Sequence, residues 1–138
     1  MSNRTFTIIK PDSVRKNNFG NIFSRLESKG FRVLGVKKTG LSRRQAEAFY
    51  AVHKERPFFA SLVEYMTSGP VFVAALERDN AVAELRKLMG ATDPTKADDG
   101  TIRKEFGESI EQNAIHGSDS DDNAKIEIAF FFAESELV

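Results

Sequence analysis

Hydrophobic residues fall along this chain in segments whose spacing changes from one to the next. Thr5–Lys10 (TFTIIK) is β-branched and apolar and reads as a strand, stopped by Pro11, which has no backbone N–H to pair. From Asn18 to Lys29 the apolar residues Phe19, Ile22, Phe23 and Leu26 recur with a helical period, closed by Gly30. Phe31–Lys38 sets Phe31, Val33 and then Val36 in an imperfect strand pattern, with Gly35 marking a bulge. Ser42 followed by Gln45 has the form of a capping box and opens a helix through about Val52. Pro57 suits the first position of a further helix reaching about Thr67, and Gly69-Pro70 makes a turn. Val71–Leu76 (VFVAAL) is apolar throughout, as a strand buried on both faces would be. Asp79 is expected to cap a helix through Met89, ended by Gly90. Residues 91–118 show no clear period, and a loop of that length in a compact domain is usually functional. Ser120–Ile128 reads as a helix and Ala129–Ala133 (AFFFA) as an edge or central strand.

The order is strand, helix, strand, two helices, strand, helix, long loop, helix, strand. This predicts an α/β (α+β) sandwich with a ferredoxin-like βαββαβ antiparallel sheet, extended by a helix pair and a long loop. No internal repeat or Pro/Ser-rich linker interrupts it, so residues 1–138 are expected to form a single domain. Such a fold hosts many activities and decides none of them. At 41% hydrophobic residues the chain can bury a core, and the absence of cysteine excludes disulfides, thiolate metal sites and cysteine nucleophiles. Residues 1–10 lack the pattern of a secretory signal, and no apolar run approaches the ~18 residues of a membrane helix, so the expectation is a soluble, cytoplasmic protein. Lys and Arg number 20, as do Asp and Glu, so no global field draws the chain to nucleic acid or an anionic membrane. A polyphosphate ligand would need a local cluster of cations.

Two histidines are present, His53 and His116, without an HxH or HxxxH spacing that would suggest a metal site. His116 lies in Asn113-Ala114-Ile115-His116-Gly117-Ser118-Asp119-Ser120, leading into the last helix. An ordinary imidazole is mostly neutral near pH 7 and has a lone pair free to attack phosphorus. Gly117 would let backbone approach a phosphate, Ser118 and Ser120 offer hydroxyls, and the helix start offers unpaired N–H groups. Glu127 on the same helix could orient the ring. The plainer alternative is a loop histidine with Ser118 as a helix cap, and on this segment alone it is the better bet. Lys10, Arg86 and Arg103, with Thr92 beside them, could clamp di- and triphosphates, although each alone reads as a surface charge. No glycine-rich phosphate loop is present, so side chains would have to hold the phosphates. Tyr50, Phe58 and Phe59 flank His53 and Arg56; core is their default reading, but Phe58 could stack on a base.

Taken jointly, these segments resemble the nucleoside diphosphate kinase family. The matching pieces are TFTIIKPDSV, GNIFSRLESKGF, YAVHKERPFF, SGP, LMGATDP, GTIRKEFG and, most specific, NAIHGSDSDDNAKIEIAFFF. They span nearly the whole chain in the family's order. The resemblance implies a ping-pong reaction in which a nucleoside triphosphate, mainly ATP, gives its γ-phosphoryl group to His116 and a second nucleoside diphosphate removes it. Ser118 and Glu127 would orient His116, while Lys10, Tyr50 and Asn113 would contact the transferring phosphate or the ribose. Arg86, Thr92 and Arg103 would grip the β- and γ-phosphates, and Phe58 would stack on the base with Leu62 and Ile110 as apolar neighbours. It further implies low base specificity, a role in maintaining NTP and dNTP pools, Mg²⁺ bridged by substrate phosphates without direct protein ligands, and a homo-oligomer, tetramer or hexamer. Membrane and specific nucleic-acid partners are not expected. The chain departs from the family's common Glu-Gly after the third strand, having Glu77-Arg78-Asp79, and it ends soon after Phe132. The alternative is a catalytically silent nucleotide-binding regulator or scaffold of the same fold.

Overall fold

A computed structural model describes residues 3–138; residues 1 and 2, which open the segment read above for a secretory signal, lie outside the described residues. Four strands form one antiparallel sheet: β1 (Arg4–Ile9), β2 (Arg32–Thr39), β3 (Val71–Glu77) and β4 (Ile115–Gly117), in the order β2-β3-β1-β4. That order, with helices in the connections, is the ferredoxin-like arrangement the pattern predicts. The helices are α1 (Pro11–Arg15), α2 (Phe19–Ser28), α3 (Arg43–Phe49), α4 (Phe59–Met66), α5 (Ala81–Met89), α6 (Ile102–Phe106) and α7 (Asp121–Phe131).

The period of two along β1 sends alternate residues to opposite faces, and both faces are covered. Phe6 and Ile8 join Val73 and Ala75 under α3, α4 and the end of α7, through Ala46, Leu62, Val63, Met66, Ile128 and Phe132. Ile9, with Ala74 and Leu76, packs against Ile22 and Leu26 of α2 and Leu85 and Met89 of α5. Gly35 does coincide with a register shift in β2, and Ser42 and Gln45 form the expected reciprocal cap of α3.

Several expectations are corrected. Residues Ala129–Phe131 continue α7 instead of forming a strand, because the helical period carries Ile128 and Phe132 into the core and lays Phe131 over Phe6 at 5.4 Å. The fourth strand is the three-residue β4, inside the stretch expected to be a loop; that stretch also holds α6 and a short 3₁₀ turn at Pro94–Lys96. Pro11 stops β1 but opens α1, and Pro57 precedes α4 by a turn in which Phe59 N–H donates to the Arg56 carbonyl. Asp79 does not cap α5; Asn80 stands at the N-cap position in a left-handed conformation, φ 53°, and its side chain makes no capping bond. Asn tolerates this region well, which is how the chain turns here without a glycine. Arg78 fills the space, donating to the Lys29 carbonyl (2.7 Å) and lying over the Phe31 ring.

Gly117 has a packing reason besides the one expected. A side chain there would meet Met89 Sδ at 2.5 Å and Leu85 Cδ2 at 3.0 Å, so glycine lets β4 lie flat on α5. Gly117→Ala is expected to destabilise the fold by about 1–3 kcal/mol through overpacking, read from the midpoint of urea unfolding at unchanged slope.

Candidate active site

Pleating decides where His116 points. Ile115 and Gly117 are buried toward α5, so His116 between them faces the other side of the sheet, opposite Ile8 of β1 and toward α3 and α7. Its ring sits edge-on to Phe6, Phe49 and Tyr50, at centroid distances of 6.2, 5.5 and 6.3 Å. The strand is pinned as Thr7 Oγ1 donates to the His116 carbonyl (2.7 Å) and Ser118 N–H to the Phe6 carbonyl (3.1 Å). From α7, Glu127 Oε1 lies 2.9 Å from His116 Nε2 and accepts the Ser118 hydroxyl at 2.7 Å. Ser118 is therefore no helix cap; Ser120 caps α7 by accepting from the Asn123 N–H, and Asp121 and Asp122 fill the first turn. The helix start is thus answered by its own side chains, and the cationic character of the site comes from elsewhere.

A cavity of about 720 Å³ opens over the imidazole, lined by the anticipated His116, Glu127, Tyr50, Lys10, Arg86, Thr92, Arg103, Asn113, Phe58, Leu62 and Ile110. Ser118 reaches it through Glu127, and Ser120, spent on the α7 cap, does not line it. Lys10 is buried; its ammonium donates to Asn113 Oδ1 (2.8 Å) and the Glu111 carbonyl (3.3 Å). Asn113 in turn donates to the Thr92 carbonyl (3.0 Å). Arg103, also buried, donates to the carbonyls of Gly90 (3.2 Å) and Ile115 (2.8 Å), and Arg86 reaches the Gly117 carbonyl at 3.4 Å. Burial, then the nearby Arg103 charge, lowers Lys10 from its ordinary 10.5 to about 8. Burial and Arg86 likewise hold Arg103 down at about 10. These cations are desolvated and push against one another, so an anion entering the cavity removes a cost the free protein carries. The Tyr50 hydroxyl is buried without a hydrogen-bond partner among the described residues, and burial, with Glu127, raises its pKa so that it stays a neutral donor.

At the outer end Phe58 (46% exposed) and Ile110 (61%) face the cavity over the buried Leu62, which makes a solvent-open apolar slot. His53 packs beside Phe58 at 5.6 Å between ring centroids. The sequence reading did not single out several other lining residues. Phe49, against the imidazole, sits in the amphipathic period of α3; Val52 and Phe130 are apolar residues of ordinary helical segments. Glu111, whose carboxylate accepts from Ser61 on α4 (2.9 Å), ties the loop to the Phe58 wall. Nothing in one-dimensional spacing sets these four apart.

An imidazole oriented by a carboxylate, beside buried cations and an open apolar slot, defines a phosphotransferase that handles nucleotides. The pattern for "Nucleoside diphosphate kinase" matches residues 3–137. The nucleoside diphosphate kinase of Granulibacter bethesdensis is 62% identical over 135 residues, 98% of this chain and 96% of that one. That of Nitratiruptor sp. is 61% identical, covering 98% of each. Among solved structures, the Aquifex aeolicus nucleoside diphosphate kinase superposes with a TM-score of 0.97 at 41% identity, covering both chains fully. A halophilic nucleoside diphosphate kinase from Halobacterium salinarum, solved in complex with CDP, gives 0.95 at 44%, covering all of this chain and 92% of that one. The chain belongs to the nucleoside diphosphate kinase family.

Among the described residues no group of three or more His, Cys, Asp or Glu is placed to hold a metal ion, and no helix is long and apolar enough to cross a membrane. The donors around the cavity fit phosphate oxygens. The lowered pKa of Lys10 has a definite sign. In the free protein Lys10 is charged below about 8 and loses its charge as pH rises through that value, whereas the unfolded chain keeps the proton up to 10.5. The empty fold therefore gains stability between the two values. A bound diphosphate restores the charge, so ADP binding near pH 9 is expected to take up part of a proton. Titration calorimetry in buffers of different ionisation heat measures this uptake, which should vanish in Lys10→Met.

Proposed function

We propose that the chain interconverts nucleoside triphosphates and diphosphates by a ping-pong reaction through a phosphohistidine on Nδ1 of His116. The observation that carries this reading is the 2.9 Å contact between His116 Nε2 and Glu127 Oε1. A carboxylate oxygen can only accept, so Nε2 carries the ring proton and the lone pair is left on Nδ1. In the first step Nδ1 attacks the γ-phosphorus, the N–P bond forms, and the P–O bond to the β-phosphate breaks with its electron pair leaving on the diphosphate. The ring gains positive charge as this happens, and the Glu127 carboxylate, steadied by Ser118, offsets it. The second step is the reverse with a different diphosphate.

Lys10, Arg86 and Arg103 neutralise the charge on the transferring group, with Thr92, Asn113 and the Tyr50 hydroxyl as neutral contacts to phosphate or ribose. Phe58 stacks on the base, with Ile110 and Leu62 as apolar neighbours. Stacking without a hydrogen-bond reading of base edges accepts any common base, which supports a general role in keeping NTP and dNTP pools balanced. Mg²⁺ enters bound to the nucleotide. The same reading places the protein in the cytoplasm, where its substrates are, as a homo-oligomer of four or six copies. The outer position of β2 in the sheet, with Val36 exposed on it, supports assembly. A silent scaffold would have no need of an imidazole held for attack.

Brief exposure to γ-labelled ATP should leave one acid-labile, alkali-stable phosphate on the wild type and none on His116→Ala, counted by intact mass. An unlabelled wild type would refute the proposal. Phe58→Ala should weaken ADP binding by roughly 1–3 kcal/mol, the worth of a base stack; equal affinity by calorimetry would assign Phe58 to packing alone.

A further inference from the structure

The turn that delivers His116 is held by a residue outside the set described so far. Ala114, two positions before His116, is fully buried and adopts φ 74°, a left-handed conformation rare for a residue with a side chain. Ile115 N–H donates to the Asn113 carbonyl at 2.9 Å across it, closing a three-residue turn of the strained, positive-φ kind. Such conformations persist only where surrounding contacts impose them.

The imposing contacts come from the Lys10-Pro11-Asp12 corner at the end of β1. Lys10 N–H donates to the Ala114 carbonyl (2.9 Å), and Ala114 N–H donates to Asp12 Oδ2 (3.1 Å). Both peptide groups of the turn residue are thus taken by one corner. Asp12 is itself wholly buried, 0% exposed, which for a carboxylate demands full pairing. Its other oxygen accepts the hydroxyl of Tyr65 on α4, and its own N–H donates back to that hydroxyl at 2.9 Å. The corner therefore fixes Asn113, whose Oδ1 meets Lys10 Nζ, on one side of the turn and β4 with His116 on the other.

We propose that Asp12 is a positioning residue for phosphoryl transfer: by holding the Ala114 amide it keeps the left-handed turn that aims His116 relative to Lys10 and Asn113. The inference rests on His116 being the phosphorylated residue. Since Asp12 reaches neither nucleotide nor imidazole, its loss should slow the transfer and leave nucleotide affinity alone. A residue that merely fills the core would show the opposite pattern, lower stability with an unchanged rate per folded molecule.

Asp12→Asn keeps the volume but can no longer accept from both Tyr65 and Ala114. Single-turnover phosphorylation by ATP is expected to fall by about tenfold or more, the scale of a sub-ångström to ångström misplacement, with ADP affinity within about twofold of wild type. Adding Ala114→Gly, which takes the positive φ without strain, should restore most of the rate. A wild-type rate in folded Asp12→Asn overturns the proposal, as does a slow variant that glycine leaves slow. Should Asp12→Asn fail to fold, Tyr65→Phe removes both hydrogen bonds between that hydroxyl and Asp12 and leaves the bond from the Ala114 amide in place. Its rate should fall about threefold and recover with Ala114→Gly; an unchanged rate overturns the proposal. A wild type that takes no phosphate from ATP refutes the His116 reading instead, so the two failures are separable.

Discussion

The site hangs from β1, a strand paired on both edges and covered on both faces. Its residues leave almost nothing free to move: Phe6 and Ile8 support one core, Ile9 the other, and Thr7 ties down the carbonyl of His116. Its last residue is Lys10's neighbour, so the same strand that supports the imidazole from below also delivers a cation to the side. A central strand is the least deformable element of a small sheet, and fixing groups to it is what precise placement requires. The three-residue β4 could not hold its own position; it borrows rigidity from β1 on one side and from the close seat of Gly117 on α5 on the other.

Around this support the electrostatics are arranged in two halves. Glu127 and Ser118 lie against the imidazole, while Lys10 and Arg103 lie buried across the cavity with Arg86 beside them. Arg103 spends two of its donors on backbone carbonyls, those of Gly90 and Ile115, so it joins the end of α5 to β4 as well as adding charge. Gly90 is compelled by this junction: it has φ 86°, and a side chain there would strike Thr101 at 2.6 Å. The cations raise the energy of the empty cavity, which is tolerable because the carbonyls and Asn113 share the burden of solvating them.

Much of this was legible in one dimension. The apolar period of Asn18–Lys29, the reciprocal cap at Ser42 and Gln45 and the wholly apolar VFVAAL are local signals, and each element formed close to where they pointed. The errors share a cause. Ala129–Phe131 has strand-forming residues but is held helical by tertiary packing of Phe131 and Phe132, and β4 is too short to leave a period. At the site, the segment NAIHGSDS and the family's other pieces led to His116, Ser118, Glu127 and the cations, all of which gather at one cavity. What stayed hidden was the support, Asp12 and Phe49, neither of which the sequence reading singled out. Their partners lie 102 residues away in one case and across a helix–sheet interface in the other, and no spacing rule spans such gaps.

His116 and Glu127 are only eleven residues apart, on a strand and the helix that directly follows it, whereas Lys10 and Asn113 meet across 103. The imidazole and its carboxylate therefore belong to one contiguous strand–helix piece of the chain, and the anion-gripping groups do not. Closing a short loop costs less entropy than closing a long one. The dyad is thus closed locally and the cation cluster only across nearly the whole chain, so the reactive pair and the groups that give it something to react with come together only once β1 has joined the two ends.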